Sequence, residues 1–186
     1  MDDNKKKIAF IINPISGTQG KEHILKWLDE KLDKNRYMPE VIYTEWAGHA
    51  VEIAARKAKE EVFAVVAIGG DGTINEIARS LVHTKTALGI IPCGSGNGLA
   101  RHLQIPMEAK KAIDIINEGL IDIIDYGKIN DVPFFCTCGV GFDAFVSLQF
   151  SKAGRRGPLI YLEKTLLESL KYKPETYELE MDGSTL

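Results

Sequence analysis

Val62-Phe63-Ala64-Val65-Val66-Ala67-Ile68 runs without a break into Gly69-Gly70-Asp71-Gly72-Thr73. An apolar run of seven residues is far too short to cross a bilayer and has the length and β-branched content of a strand covered on both faces. A glycine-rich turn directly after such a strand marks the junction with a helix at the carboxyl edge of a parallel sheet, which is where ligands of such sheets bind. The arrangement occurs twice more. Lys7–Ile12 enters Asn13-Pro14-Ile15-Ser16-Gly17, and Ala87–Ile91 enters Pro92-Cys93-Gly94-Ser95-Gly96-Asn97-Gly98.

Outward from these strands, apolar runs alternate with amphipathic stretches, the pattern of a parallel sheet flanked by helices. Met38–Thr44 is the remaining strand, and the three continuously apolar strands are expected at the centre of the sheet. Helices are predicted over Lys21–Lys34, His49–Glu61, Thr73–Leu81, Asn97–Leu103 and Met107–Glu118, with Pro106 near the first turn of the last and Gly119 ending it. Residues 1–121 thus read as one α/β domain. From Asp122 the texture changes: Ile123–Ile129 reads as a strand, Asn130-Asp131-Val132-Pro133 as a turn and Phe134–Gly139 as its partner. Residues 122–186 read as the start of a β-rich domain, with a further helix over Pro158–Lys171, a strand over Thr176–Met181 and a turn at Asp182-Gly183. A strand ending on a turn has its edge unpaired, so the chain is expected to be part of a longer protein.

The chain has 186 residues, 45% apolar and 26% charged, which is ordinary globular composition. A net charge of −3 and a pI near 5.8 exclude the basic surface of a nucleic-acid binder. Met1–Lys7 leads into only the short apolar run Ile8–Ile12, no signal-peptide core, and no segment is long enough to span a membrane. A cytoplasmic protein is expected. Cys93, Cys136 and Cys138 lack the paired spacing of a zinc site and read as small, mostly buried thiols; if Phe134–Gly139 is a strand, Cys136 and Cys138 share a face.

Glycines at the three turns let backbone N–H groups approach a polyphosphate, and each following helix adds its N-terminal partial positive charge. A single such loop is as well explained as a plain tight turn; three converging on one edge are not. Thr73-Ile74-Asn75-Glu76 fits a capping box, a structural role compatible with phosphate contact. Asp71, a carboxylate set between glycines at a sheet edge, has Mg²⁺ or a substrate hydroxyl as its natural partner. A Walker A loop is excluded, because Gly17-Thr18-Gln19-Gly20-Lys21-Glu22 has the wrong spacing and ends in Glu. Gly139-x-Gly141-x-x-Ala144 matches the dinucleotide fingerprint but lies outside the βαβ run.

At these loops the chain resembles the diacylglycerol kinase catalytic domain superfamily, which includes bacterial lipid kinases and sphingosine and ceramide kinases. The resemblance rests on Asn13-Pro14-x-Ser16-Gly17, Gly69-Gly70-Asp71-Gly72-Thr73-x-Asn75-Glu76, Pro92-x-Gly94-Ser95-Gly96-Asn97-x-x-Ala100-Arg101 and Gly141-Phe142-Asp143-Ala144. The middle motif is shared with NAD kinases and phosphofructokinases. The resemblance implies a Rossmann-like, phosphofructokinase-type nucleotide domain followed by a β-sandwich. It also implies an ATP site lined by Asn13, Pro14, Ile15, Ser16, Gly17, Thr44, Gly70, Asp71, Gly72, Thr73, Ile74, Asn75, Glu76 and Ser95, with Mg²⁺ as the second cofactor.

By the same resemblance, the reaction is transfer of the γ-phosphoryl group of ATP to the hydroxyl of a diacylglycerol-type or sphingoid-type lipid, met transiently at the membrane surface. Asp71 is a candidate base. In bacterial members the base is a late acidic residue, which with the second-domain magnesium ligands falls beyond Leu186, and the segment 1–186 alone is expected to bind ATP weakly without phosphorylating lipid. An NAD kinase-like phosphotransferase and an inactive nucleotide-binding module are the alternatives. Lys152, Arg155 and Arg156 form a cationic cluster that reads either as a solvated loop or as a contact for phosphate or anionic lipid. Asp143 reads either as lining the lipid side or as a helix cap. His23, His49, His83 and His102 show no metal spacing, and Trp27 and Trp46 are expected to pack rather than to stack on a base.

Overall fold

The computed structural model of the chain describes residues 5–14, 21–152, 172–181 and 183–185. It divides into two compact units, Met1–Thr137 and Cys138–Leu186. In the first, β1 (Lys6–Ile12), β2 (Tyr37–Tyr43), β3 (Ala64–Gly69) and β4 (Ala87–Pro92) form a parallel sheet in the order β2-β1-β3-β4. Because successive strand residues face opposite sides, the sheet sorts its apolar residues into two layers. Ile8, Phe10, Ile12, Val66, Ile68 and Ile91 meet Ile24 and Leu28 of α1 (Glu22–Lys31) and Ala112 and Ile113 of α5 (Ala109–Glu118). On the other side Ala9, Ile11, Val65, Ala67 and Ile90 meet Ile53 of α2 (His49–Lys59), Ile74 and Ile77 of α3 (Asp71–Leu81) and Leu99 of α4 (Gly98–His102). Each Ile, Leu or Val removed from water contributes about 1.5–3 kcal/mol before the entropy of ordering the chain, so the two layers hold the strand ends in a fixed order.

The α/β architecture is the one expected, with one correction. β4 is not central; it is paired only with β3 on the strand side, among the described residues. Its Ile90 and Ile91 are apolar because α5 covers one face and α3 with α4 the other. A continuous apolar run reports covered faces, not the number of strand neighbours. β2 lies at the opposite edge, its Pro39 in register with Ile8. There Lys57 of α2 is buried and reaches Glu40 at 2.7 Å and Glu60 at 2.8 Å. Burial pulls its ammonium pKa down, but the hydrogen bonds and charges of the two carboxylates outweigh this and the net shift is upward. The hydrogen bond from Lys57 in turn holds Glu60 below its ordinary value. Gly119 ends α5 as expected, at φ +65° with its N–H donating to Ile115 and Ile116 carbonyls.

After α5 the expected hairpin forms, but shorter and shifted. Asn130 and Asp131 both take positive φ (45° and 63°), the geometry of a two-residue turn whose twist suits a hairpin. Val132 and Pro133 therefore belong to the return strand: β5 (Gly127–Ile129) pairs antiparallel with β6 (Val132–Phe134). Arg79 Nε of α3 donates to the Pro133 carbonyl at 2.9 Å and ties this hairpin to the sheet domain. Residues 120–126 pair with no strand among the described residues, and Ile123 is 95% exposed. Of the strand expected over Phe134–Gly139 only Phe134 is paired, and residues 135–139 are not strand, so Cys136 and Cys138 share no strand face, and both are exposed rather than buried; all three thiols are free.

In the second unit a helix that periodicity did not reveal, α6 (Phe142–Lys152), follows Gly141 at φ +75°. Phe-Asp-Ala-Phe-Val-Ser-Leu-Gln-Phe has no clean apolar stripe, and the rings of Phe142 and Phe145 instead pack on Tyr172 at 5.3 and 5.6 Å. Asp143 lies in the first turn of α6, where a carboxylate complements the helix dipole. Of the strand expected over Thr176–Met181 only β7 (Glu180–Met181) pairs, with β8 (Ser184–Thr185). The helix expected over Pro158–Lys171, with Arg155 and Arg156, lies outside the described residues.

Candidate functional site

Four parallel strands deliver four loop entries to one edge. β1 leaves through Asn13-Pro14, β2 through Thr44, β3 through Gly70-Asp71 and β4 through Cys93-Gly94. The register is continued past the strands by backbone hydrogen bonds: Asn13 N–H to Ile68 O at 3.4 Å, Thr44 N–H to Ile12 O at 2.9 Å and Cys93 N–H to Gly69 O at 2.8 Å. The entries are therefore placed by the sheet itself rather than by their own sequences.

The loops after β3 and β4 touch. A Cβ on Gly94 would stand 2.6 Å from Gly70 Cα, and one on Gly96 would stand 2.7 Å from Asp71 Oδ2. Only glycine permits that approach. Asp71 fastens it: Oδ2 accepts the Asn97 N–H at 2.8 Å and Oδ1 the Gly98 N–H at 2.6 Å. Asn97, buried and at φ +54°, closes its own loop, its Oδ1 accepting Gly94 N–H at 2.8 Å and its Nδ2 donating to Gly94 O at 2.7 Å. Arg101 Nε donates to Gly96 O at 2.8 Å. Hydrogen bonds to a carboxylate are roughly twice as strong as neutral ones, so the carboxylate of Asp71 is the pin between the two glycine-rich segments.

The capping box expected at Thr73 does not form. α3 starts two residues earlier, with Gly70 in extended backbone as its N-cap and no side-chain cap. Thr73, buried in the first turn, accepts instead from Asn13 Nδ2 at 3.3 Å, which links the β1 and β3 loops. Asp71, Gly72 and Thr73 are the first residues of α3, where helix geometry leaves N–H groups without intrahelical acceptors and the dipole is positive. Lys21, at the start of α1, donates from Nζ to Asn13 O. Its pKa is lowered by burial, an effect the neighbouring Cys93 partly offsets; burial likewise raises the Cys93 thiol, and Lys21 partly opposes it.

Of the residues expected to line a nucleotide, Asn13, Gly70, Asp71 and Thr73 stand together, with Thr44 buried on the neighbouring strand exit and Ser95 exposed in the β4 loop. Asn75 and Glu76 are half-buried on α3, and Pro14 and Gly72 are exposed. Ile74 faces the hydrophobic layer, and its N–H is taken by Gly70 O at 3.1 Å. Ile15, Ser16 and Gly17 lie outside the described residues. Sequence reasoning missed the parts played by Asn97, Lys21 and Arg101. For Asn97 a signal existed, since Asn between glycines is the residue that tolerates a left-handed turn and bonds its own backbone. Among the described residues no group of three or more His, Cys, Asp or Glu is placed to hold a metal ion, and no helix is long and apolar enough to cross a membrane.

The sequence and the fold have counterparts in known proteins. The chain is 33% identical over 186 residues to a diacylglycerol kinase of Bacillus subtilis, covering 96% of this chain and 60% of that one. To a diacylglycerol kinase of Staphylococcus saprophyticus it is 35% identical over 132 residues, 70% of this chain and 43% of that one. The crystal structure of a diacylglycerol kinase from Bacillus anthracis superimposes with a TM-score of 0.61 at 25% identity, over 69% of this chain and 48% of that one. The chain thus spans about three fifths or less of the length of these relatives. The diacylglycerol kinase catalytic domain family matches residues 7–129, from within β1 through the parallel sheet to β5 of the hairpin, and the chain belongs to that family.

Proposed function

We propose that this chain is the nucleotide-binding portion of an ATP-dependent lipid kinase. The observation that carries the reading is the clamp between the β3 and β4 loops, with Gly70 against Gly94 and Asp71 bridging to Asn97 and Gly98. That contact fixes the start of α3 beside Asn13 and Thr73 on one edge, where unbonded first-turn amides and the helix dipole favour a phosphate chain. Phosphoryl transfer asks a protein mainly for positioning and charge stabilisation. In this reading Asn13, Gly70, Gly72, Thr73 and Ser95 bind and orient the phosphates. Asn75 and Glu76 shape the floor behind them, and Ile15, Ser16 and Gly17 complete the first loop. Thr44 lies on the side of the nucleoside.

Asp71 uses one lone pair on each oxygen for the clamp, and a carboxylate retains others. We assign it the orientation of the acceptor hydroxyl as well. Mg²⁺ enters with the nucleotide as counter-ion of its phosphates. The described residues supply no metal cluster, so no protein ligand is assigned to it. The acceptor is a diacylglycerol-type or sphingoid-type lipid presented at a membrane surface by peripheral contact. The test is phosphoryl transfer by the full-length protein from labelled ATP to diacylglycerol, sphingoid base and NAD, together with calorimetric ATP binding by the 186-residue chain. Saturable ATP binding and labelling of a lipid support the reading. Exclusive labelling of NAD would end it in favour of an NAD kinase.

A further inference from the structure

Trp46 does not pack into the core as its composition class leads one to expect; it is 52% exposed. It is nevertheless held. Gly48 at φ +88° turns the chain after β2, the His49 N–H donates to Trp46 O at 3.3 Å, and the indole lies flat on the His49 imidazole with centroids 3.8 Å apart and planes 6° from parallel. The imidazole is fixed in turn, its Nδ1 accepting the Glu45 N–H at 3.1 Å. An aromatic surface backed by a second ring, ordered at no further cost to a ligand, is a stacking platform rather than a loose surface side chain.

Its place in the sheet says what it would stack on. The strand order β2-β1-β3 puts the exits of β2, β1 and β3 side by side on one edge, and adjacent strands are about 4.8 Å apart. The exit of β2 at Thr44 therefore lies roughly two strand spacings, on the order of 10 Å, from the exit of β3 at Gly70, and Trp46 follows in the loop after Thr44. With its outer phosphates over the start of α3, a nucleotide extended along this strand order would carry its base toward the exit of β2. We infer that Trp46, backed by His49, is the platform on which the purine base of the bound nucleotide stacks. The inference rests on the nucleotide-binding reading above and adds a residue that fixes the base.

The chain has two tryptophans, so Trp27→Phe leaves Trp46 as the fluorescent reporter. ATP is expected to quench its emission saturably. Inorganic tripolyphosphate, which carries the charge but no base, is expected to compete with ATP without quenching. Calorimetry on the otherwise native chain is the second measurement and is independent of the Trp27 variant. Trp46→Ala is expected to weaken ATP binding about tenfold and to leave tripolyphosphate binding unchanged, whereas Trp46→Phe retains most of the affinity. Equal ATP affinity in the wild type and Trp46→Ala overturns the platform alone. Absence of ATP binding by the wild type overturns the nucleotide reading and the platform with it. A blue shift of Trp46 on phosphatidylglycerol vesicles, with no response to ATP, overturns it in favour of a membrane contact.

Discussion

Replacing Gly94 by Ala puts a methyl group 2.6 Å from Gly70 Cα and 2.8 Å from Asn97 Oδ1. Carbon atoms pack at about 3.5–4.0 Å, so the β3 and β4 loops must part by roughly 1 Å, and the obstacle is backbone, which does not swing away as a side-chain tip would. Overpacking of this kind costs about 1–3 kcal/mol, or a fall in Tm of about 2–12 °C for a chain of this size. The same displacement moves the amides of the proposed phosphate site, so ATP affinity is expected to fall with Tm; a misplacement near 1 Å can cost a reaction about 10²-fold in rate. Gly72→Ala is the matched stability control. Its Cβ meets nothing within 4 Å and its φ is not positive, so it is expected to leave Tm unchanged or raise it slightly. The assay is thermal unfolding beside ATP titration calorimetry. Gly94→Ala with the Tm and ATP affinity of the wild type would show that the two loops are not held against each other.

Asp71→Asn removes the charge that pins Asn97 and Gly98. The cost is on the order of 1–2 kcal/mol, because a neutral amide with one acceptor oxygen replaces a carboxylate that accepts from both N–H groups, measurable as a lower urea midpoint. If Asp71 also orients the acceptor hydroxyl, transfer by the full-length protein carrying the substitution falls by about 10²-fold or more while ATP affinity changes little; a parallel fall in both confines it to the clamp. With iodoacetamide at neutral pH, Cys136 and Cys138, both exposed, are expected to be modified fast, and Cys93, whose thiol burial holds above its ordinary value of 9.0, slowly. Peptide mass spectrometry after timed quenching reads this, and equal rates would refute it. Glu60 is held below its ordinary value of 4.5 by Lys57, so its contribution is present above that pH and is lost as pH falls through the lower folded value. Lys57→Met keeps the buried stem, and its urea midpoint is expected to decline less than that of the wild type over this acid range.

The fold was legible because its signals are local and redundant. Ile8–Ile12, Val65–Ile68 and Ile90–Ile91 each carry apolar residues on both faces, and each runs into a segment containing glycine, at Gly17, Gly69 and Gly94. The edge position of β4 was not legible, since an apolar run is silent about which side lacks a strand. Nor was α6, whose phenylalanines find their partner in Tyr172, distant in sequence. At the site, the pattern Gly-Gly-Asp-Gly-Thr located Asp71 but suggested a ligand as its partner. That its oxygens reach Asn97 and Gly98 depends on how far α3 and α4 are pulled together by the layer of Ile74, Ile77 and Leu99, which no local motif encodes. Trp46 shows the same limit: an aromatic after a strand reads as core until the turn at Gly48 is seen to carry it outward.

Pro39 bears on how this molecule keeps to itself. The Thr44 N–H bonds to Ile12 O, so by strand alternation the even-numbered residues of β2 direct their backbone polar groups toward β1 and the odd-numbered ones toward water. Pro39 is odd-numbered, and it deletes a donor from the rim that a foreign strand would have to dock on. Beside the exposed apolar side chains of Met38, Val41 and Tyr43, that missing hydrogen interrupts what would otherwise be a template for fibre growth.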